Sequence, residues 1–372
     1  MKILFVAPLP PPINGHSLAA KVLLDGLAKG GHEVVVVDLS VGSRGDGSVT
    51  FERIAQVVRV LRRVWQYRRV VDVIYFTISE SLAGNLKDLL IYTLCVSSLP
   101  RMFIHLHGGT LKVELFDRYR WLRSLNAWFV RRLAGVIISG RSHEVIFDRL
   151  IDSRRVHIVE NFAQEELFVG EQQIREKFSA LKPIRVLFIS NMIPMKGFGE
   201  LTDAYTELDA VTRECICIDF AGRFDFDSNR REFEQRIAGV AGLRYHGVVD
   251  DEKKRRLFAH AHVFCLPTAF REGQPISLLE AYAAGCVVLT TGQSGIRDVF
   301  THGVNGFEIQ TTSRSIAAAL TRLVADPRCL LGIAVENRRL ASSRFRAAGY
   351  NMRLRRILES AGSRTIPKVA VS

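Results

Sequence analysis

Residues 271–291 read REGQPISLLEAYAAGCVVLTT. The apolar residues of SLLEAYAA recur at helical spacing, Gly285 is placed to end that helix, and CVVLTT is a short β-branched run with the look of a buried strand. A helix that passes through one glycine into an apolar strand is the repeating step of an α/β fold. Upstream, IRVLFIS (184–190), CICIDFAG (215–222), LRYHGVV (243–249) and HVFCLPT (262–268) supply further strands separated by helical patterns. Near-continuous Val/Ile runs of this kind belong to a parallel sheet covered on both faces.

The same alternation occupies the first half. KILFVAP (2–8), HEVVVVDL (32–39), DVIYFT (72–77), RMFIHLH (101–107) and GVIIS (135–139) alternate with amphipathic stretches, beginning with Ser17 to Lys29. A polar, charged segment at 163–183 separates the two series, and Pro183 opens the second. The expected fold class is therefore α/β, with two Rossmann-like, doubly wound domains facing an interdomain cleft. Their expected ranges are 1–165 and 183–342. Ligands of open parallel sheets sit beyond the carboxyl ends of the strands. That rule points to the loops at 7–17 and 105–110 from one domain, and at 190–197, 221–224 and 271–277 from the other.

Composition narrows the function classes. The chain has 372 residues, 48% apolar and 24% charged, which suits a soluble globular protein and excludes wholesale disorder. The N-terminal MKILFVAPLP reads as a first strand, not as a signal peptide, and the longest apolar stretch, 89–99, is about half of a membrane span. The six cysteines form no C-x-x-C pair and are read as buried free thiols of a reducing cytosol. The net charge of +13 predicts acidic partners. In residues 1–165, 22 Lys and Arg stand against 15 Asp and Glu, so the excess is shared between the halves.

The loop at 271–277 has its own chemistry. Pro275 suits the first position of the helix, where its missing N–H is not needed. The free amides of Ile276, Ser277 and Leu278 then offer a diphosphate site, with Gly273 allowing close approach and Gln274 in the same loop. Glu280 lies roughly 7–8 Å further along the axis, within reach of a ribose diol. Glu272 is placed for a hydroxyl-rich group beyond the diphosphate. The spacing fits a nucleotide-diphosphate sugar; the competing reading is two solvated surface carboxylates. Lys196 follows the first strand of the second series and can neutralise a phosphate. Gly15 and His107 sit where strands of the first series end. The first loop lacks G-x-G-x-x-G, so a nicotinamide fingerprint is missing.

Taken in order, these pieces resemble the retaining, nucleotide-sugar-dependent glycosyltransferases of family 4, which have the GT-B fold. The resemblance covers about residues 1–360. It rests on PPINGHSLAAKVLLDGLAKGGHEVVVVD, IHLHGGT, VHIVENF, MKGFGELTDAY, the E-x7-E pair Glu272 and Glu280, and HGVNGFEI. It implies that Glu272, aided by the amides of Gly273, Gln274 and Ile276 flanking Pro275, binds donor-sugar hydroxyls. Glu280 would hold the ribose, and Lys196 would bind the diphosphate and stabilise it as it leaves. His107 would sit near the reaction centre and Gly15 near the phosphates. No cofactor is implied and no metal; Asp225 and Asp227 are read as solvated. The C-terminal helix, about 343–362, would return to the first domain, which is the acceptor side in this family. Three departures stand out. Ser190–Asn191 occupies the place of a Gly-Arg pair, so that either Arg223 compensates or stabilisation of the leaving group is weaker. Asn14–Gly15 replaces a glycine pair, and Asn161–Phe162 replaces Asn-Gly.

Two basic stretches complete the reading. Residues 51–70 carry Arg53, Arg59, Arg62, Arg63, Arg68 and Arg69, and residues 118–133 interleave five arginines with Trp121, Trp128 and Phe129. Such helices fit an anionic membrane face as well as a solvated surface. The expected protein is a hexosyltransferase-type enzyme that transfers a sugar from a UDP- or GDP-type donor to a saccharide or lipid-linked acceptor. It is expected in the cytoplasm or at the inner face of the cytoplasmic membrane. Alternatives are a sugar-nucleotide epimerase of the same fold, a weakened nucleotide- or polyanion-binding protein, and, from charge alone, a nucleic-acid binder without a recognised motif.

Overall fold

The computed structural model describes residues 1–40 and 51–362 and divides into two compact units, one of Met1–Glu160 with the segment from Ala348 onward, the other Asn161–Ala347. The first unit runs β1 (Lys2–Ala7), α1 (Gly15–Lys29), β2 (Glu33–Asp38), α2 (Phe51–Tyr67), β3 (Val73–Thr77) and α3 (Leu82–Leu94). It continues with β4 (Met102–Leu106), α4 (Arg120–Val130), β5 (Gly135–Ile138), α5 (Glu144–Phe147) and β6 (Val156–Ile158). All six strands are parallel, in the order β2-β1-β3-β4-β5-β6. Strands β3, β4 and β5 are buried along their whole length, as sequences that are apolar except for Thr77 and His105 require.

The second unit opens with α6 (Glu171–Ser179), β7 (Ile184–Ile189), α7 (Phe198–Glu207), α8 (Ala210–Glu214), β8 (Ile216–Ala221) and α9 (Asp227–Ile237). Then come β9 (Leu243–Tyr245), α10 (Asp251–His260), β10 (Val263–Leu266), α11 (Ile276–Ala283), β11 (Val287–Thr290), β12 (Gly306–Glu308), α12 (Ser313–Ala325) and α13 (Leu330–Arg344). Its parallel sheet has the order β12-β11-β10-β7-β8-β9. Each unit has its own apolar core. The last helix, α14 (Ala347–Gly362), belongs to the first unit, where Arg353 donates to the Glu160 carbonyl at 3.3 Å and Glu359 faces His32 at 3.3 Å.

The 163–183 stretch, read from sequence as the joint, packs with the second unit. The Ala163 amide donates to the Phe345 carbonyl at 2.8 Å and Ile174 is fully buried, so the change of unit falls just before it. Among the cysteines, Cys95, Cys265 and Cys286 are buried, whereas Cys215 and Cys217 are partly covered and Cys329 is exposed, so the buried reading fits only three.

Both sheets reverse their strand order once. In the first unit the chain builds β2 on one side of β1 and β3 on the other; in the second it builds β8 on one side of β7 and β10 on the other. These reversals open crevices at the carboxyl ends of β1/β3 and β7/β10. The loops at those four strand ends carry most of the predicted site residues.

Candidate active site

In the second unit, the loops after β7 and β10 are strapped together. Ala269 and Phe270 donate their amides to the Met195 carbonyl at 2.8 and 3.1 Å, and the Thr268 hydroxyl reaches the same oxygen at 3.3 Å. Gly197 makes this approach possible. It has φ 84°, and a Cβ there would fall 2.2 Å from the Pro267 carbonyl oxygen. The strapping carries Lys196 onto Glu272: its Nζ donates to Oε1 and Oε2 at 2.6 and 2.7 Å. The Thr268 hydroxyl donates to Glu272 Oε1 at 3.0 Å, and Lys196 Nζ also lies 4.6 Å from the Phe270 ring centre. The side chains of Lys196 and Glu272 are only 13% and 7% exposed, so Glu272 is not the solvated carboxylate of the competing reading. Thr268 and Phe270 escaped sequence reading, since nothing in TAF distinguishes them from an ordinary loop.

Glu280 is deeper. Its side chain is 2% exposed on α11 and accepts from Lys254 Nζ at 2.7 Å; that lysine also reaches Gln164 at 2.6 Å. Lys254 comes from α10, inside DEKKRR, where the charge run disguised it as a solvated face. The two carboxylates eight residues apart thus each face a lysine supplied by a different element.

The start of α11 differs from expectation. Pro275, with ψ 118°, is the cap residue, and Ile276 is the first helical residue. The Leu278 amide is engaged with the Pro275 carbonyl at 3.2 Å, which reduces the expected set of three free amides to Ile276 and Ser277. Gln274 is also redirected. Its side-chain oxygen accepts from the Asn161 amide at 2.5 Å and its carbonyl from Asn161 Nδ2 at 2.8 Å. Its side-chain oxygen and its carbonyl clamp the loop, which leaves its backbone amide and the buried, unpartnered Nε2 for a ligand. Arg223 is exposed beside Gly222, and its carbonyl accepts from Met192 at 2.9 Å. Asp225 is exposed; Asp227 begins α9 and pairs with Arg230 at 3.3 Å. Among the described residues no cluster of three or more His, Cys, Asp or Glu side chains is arranged to hold a metal ion.

In the first unit, a cavity of about 380 Å³ lies at the β1/β3 crevice, lined by Pro8, His16, Thr77, Ser79, Glu80, Lys87, His107 and Gly108 among others. Gly15 is the first residue of α1, whose start is fixed by a capping box between Asn14 and Ser17 (2.9 and 3.0 Å). The next residue, His16, stacks on His107 at 4.5 Å, and His107 on His105 at 3.9 Å. Strand alternation puts His105 and His107 on one face, whereas His16 carries no signal in the sequence beyond its place after the cap. The His105 Nδ1 meets the Tyr75 hydroxyl at 2.7 Å, while the Nε2 atoms of all three rings are buried without a hydrogen-bond partner.

Burial pushes His16 down to about 4, with Lys87 adding to the effect, and His105 down to about 3; His107 is held well below the ordinary imidazole range by burial and by its two neighbours. All three are therefore neutral at pH 7. Glu80 supports the loop carrying His107. It accepts the Thr110 and Leu111 amides at 2.6 and 2.9 Å, and burial raises its carboxyl above the usual range.

Residues 183–326 match the family described as Glycosyl transferases group 1. A phosphatidyl-myo-inositol mannosyltransferase of Mycolicibacterium smegmatis is 32% identical over 141 residues, covering 37% of this chain and 35% of its own. An uncharacterised glycosyltransferase of Methanocaldococcus jannaschii is 22% identical over 368 residues, 88% of this chain and 90% of its own. Among solved structures, Anabaena HepE in complex with UDP and glucose superposes with a TM-score of 0.73 at 17% identity, covering 97% of this chain and 100% of that one. That likeness establishes the fold, and the sequence relatives do not favour the epimerase alternative.

Proposed function

We propose that this chain, a glycosyltransferase with the GT-B fold, moves a hexose from a UDP- or GDP-type sugar to a saccharide or lipid-linked saccharide, with retention at the anomeric carbon. The observation that carries this reading is the Lys196–Glu272 pair held at the β7/β10 crevice. A diphosphate entering there takes over the ammonium of Lys196. Glu272, still oriented by Thr268, then accepts hydrogen bonds from sugar hydroxyls with help from the amides of Gly273 and Gln274, and the free amides of Ile276 and Ser277 at the helix start serve the phosphates. Glu280 accepts from the ribose diol, and Lys254 keeps its charge balanced.

In the transfer step the bond from C1 to the diphosphate oxygen breaks while the acceptor oxygen bonds to C1 on the same face. The acceptor proton passes to the departing phosphate oxygen. Lys196 stabilises the charge that develops on the diphosphate, and Arg223 is assigned to the same group; the resemblance to family 4 assigns Gly15 to the phosphates and His107, a neutral imidazole, to the sugar. The cationic side chains supply the charge that a divalent metal would bring, so transfer is proposed to proceed with chelator present.

Support for UDP comes from the HepE complexes, and support for a lipid acceptor from the mannosyltransferase relative. Among the described residues no helix is long and apolar enough to cross a membrane. We place the enzyme in the cytoplasm and at the inner face of the cytoplasmic membrane, in cell-surface polysaccharide or glycolipid synthesis. The test is a thermal-shift screen of UDP, GDP, ADP and their sugar conjugates, with NAD and a DNA duplex as controls. One nucleotide diphosphate should stabilise selectively, by about 2.7 kcal/mol at a hundredfold excess over Kd, and the shift should vanish in Glu280→Ala. A shift with DNA and with no nucleotide would sink the reading.

A further inference from the structure

The chain has three tryptophans, and all of them, Trp65, Trp121 and Trp128, stand on exposed helix faces of the first unit, at 55%, 54% and 45% exposure. Tryptophan is normally among the best-covered residues, so its placement outside the core in every instance asks for a reason. Two of the three lie on α4, where Trp121, Leu125 and Trp128 form an exposed row at helical spacing. On α3 a second exposed row, Leu82, Leu86 and Leu90, repeats every four residues. The two helices are clasped together: Asn85 and Asn126 exchange side-chain hydrogen bonds at 3.3 and 2.9 Å, and Tyr92 stacks on Phe129 at 5.4 Å. Each exposed row lies beside this clasp, so the two rows make one apolar ridge. On its other side α3 packs against α2, which exposes Ile54, Val58 and Trp65.

Charge says what the ridge meets. Arg120, Arg123 and Arg131 are exposed on or just after α4, and Arg59, Arg62, Arg63 and Arg69 on or just after α2. The described helices α3 and α4 contain one acidic residue, Asp88, and it is buried with Lys87 3.5 Å away. The nearest acids before α4 are Glu114 and Asp117, the latter paired with Lys112 at 2.8 Å. The guanidinium of Arg132 lies 3.9 Å over Trp128. Exposed tryptophan and leucine flanked by arginine, with acid withdrawn, is the pattern of an interface between acyl chains and anionic headgroups.

We infer that the α3–α4 ridge, flanked by the arginines of α2 and α4, docks the first unit onto an anionic phospholipid bilayer. This deepens the membrane-surface part of the proposed function and rests on it, while needing nothing from the donor site. The full chain would be mixed with vesicles of phosphatidylcholine alone, or of phosphatidylcholine and phosphatidylglycerol in equal parts, and followed by co-sedimentation and tryptophan emission. Binding with a blue-shifted emission is expected only on the anionic vesicles. Arg120→Glu/Arg123→Glu keeps every tryptophan as a reporter and should weaken binding by at least about fivefold per arginine. Leu86→Glu should reduce the blue shift. These residues are exposed, and retained stabilisation by the nucleotide that binds the native chain would show that the variants fold.

Unchanged emission on anionic vesicles, or binding unaffected by the charge reversals, would overturn the proposal. So would a wild-type dimer that Leu86→Glu converts to a monomer, since the ridge would then be covered by a second copy. Nucleotide stabilisation without vesicle binding removes the docking surface and leaves the donor reading intact; vesicle binding without nucleotide stabilisation does the reverse.

Discussion

At the crevice of the second unit, two buried carboxylates each meet a lysine from another element; at the corresponding crevice of the first, three imidazoles stack with their Nε2 atoms unpartnered. The sheets are built by the same rule, yet one crevice is charged and balanced and the other has a neutral aromatic wall. The difference teaches what each can take. Ion pairs buried before a ligand arrives can exchange partners with a diphosphate at little cost in new desolvation, because the charges are already out of water. Neutral rings with open nitrogen atoms instead suit uncharged hydroxyls, and at neutral pH they add no positive charge to their own crevice.

The largest effect should come from breaking the charged crevice at its centre. Glu272→Gln keeps the shape but removes the charge, and donor turnover, read as nucleotide release, should fall by about 10²–10³-fold. A variant within threefold of wild type would move the chemistry elsewhere. Glu280→Ala leaves Lys254 buried beside Gln164 alone, and denaturant unfolding should report a loss of about 3–5 kcal/mol. An unchanged midpoint would mean that Lys254 reaches water when its partner goes.

The neutral crevice is tested by pH. The folded chain holds His16 at about 4 and His105 at about 3, below the ordinary value of 6.5, so it binds fewer protons than the unfolded chain in that interval. Their contribution is complete above pH 6.5 and is lost as pH falls toward these values, at up to about 1.4 kcal/mol per pH unit for each ring. Asp88 acts in the opposite sense. Burial raises it to about 6, so its effect disfavours folding as pH rises through the interval from 3.8 to 6. His16→Gln should flatten the unfolding free energy between pH 6.5 and 4 by one ring's share; an unaltered slope would show that His16 is already protonated. The smallest expected effect is at the loop clamp. Asn161→Ala removes the Nδ2 donor to the Gln274 carbonyl but keeps the backbone amide that donates to Gln274 Oε1, and should destabilise by about 1–3 kcal/mol, measured by urea unfolding, with a weaker donor shift as the loop loosens.

Much of this was legible in the chain. Strand runs such as VIYF and VFCL are apolar without interruption because both faces of a parallel sheet are covered, and Gly285 adopts φ 61° where a helix must stop. The pairing of Lys196 with Glu272 was half visible: both stood out, though not their contact, which depends on β7 and β10 being neighbours despite the residues between them. His16, Lys254, Thr268 and Phe270 were hidden because each is an ordinary residue of its local segment and becomes special only through a distant partner.

The sequence by itself determined the two α/β series, the order of their elements and the loops that carry polar chemistry, because those follow from local periodicity and turn residues. Only the tertiary structure decided which lysine faces which carboxylate, that Gln274 is a clamp, that three histidines form one stack, and that every tryptophan lies outside the cores. These are outcomes of strand order and helix packing, which join residues far apart in the chain, and no local pattern encodes such distances.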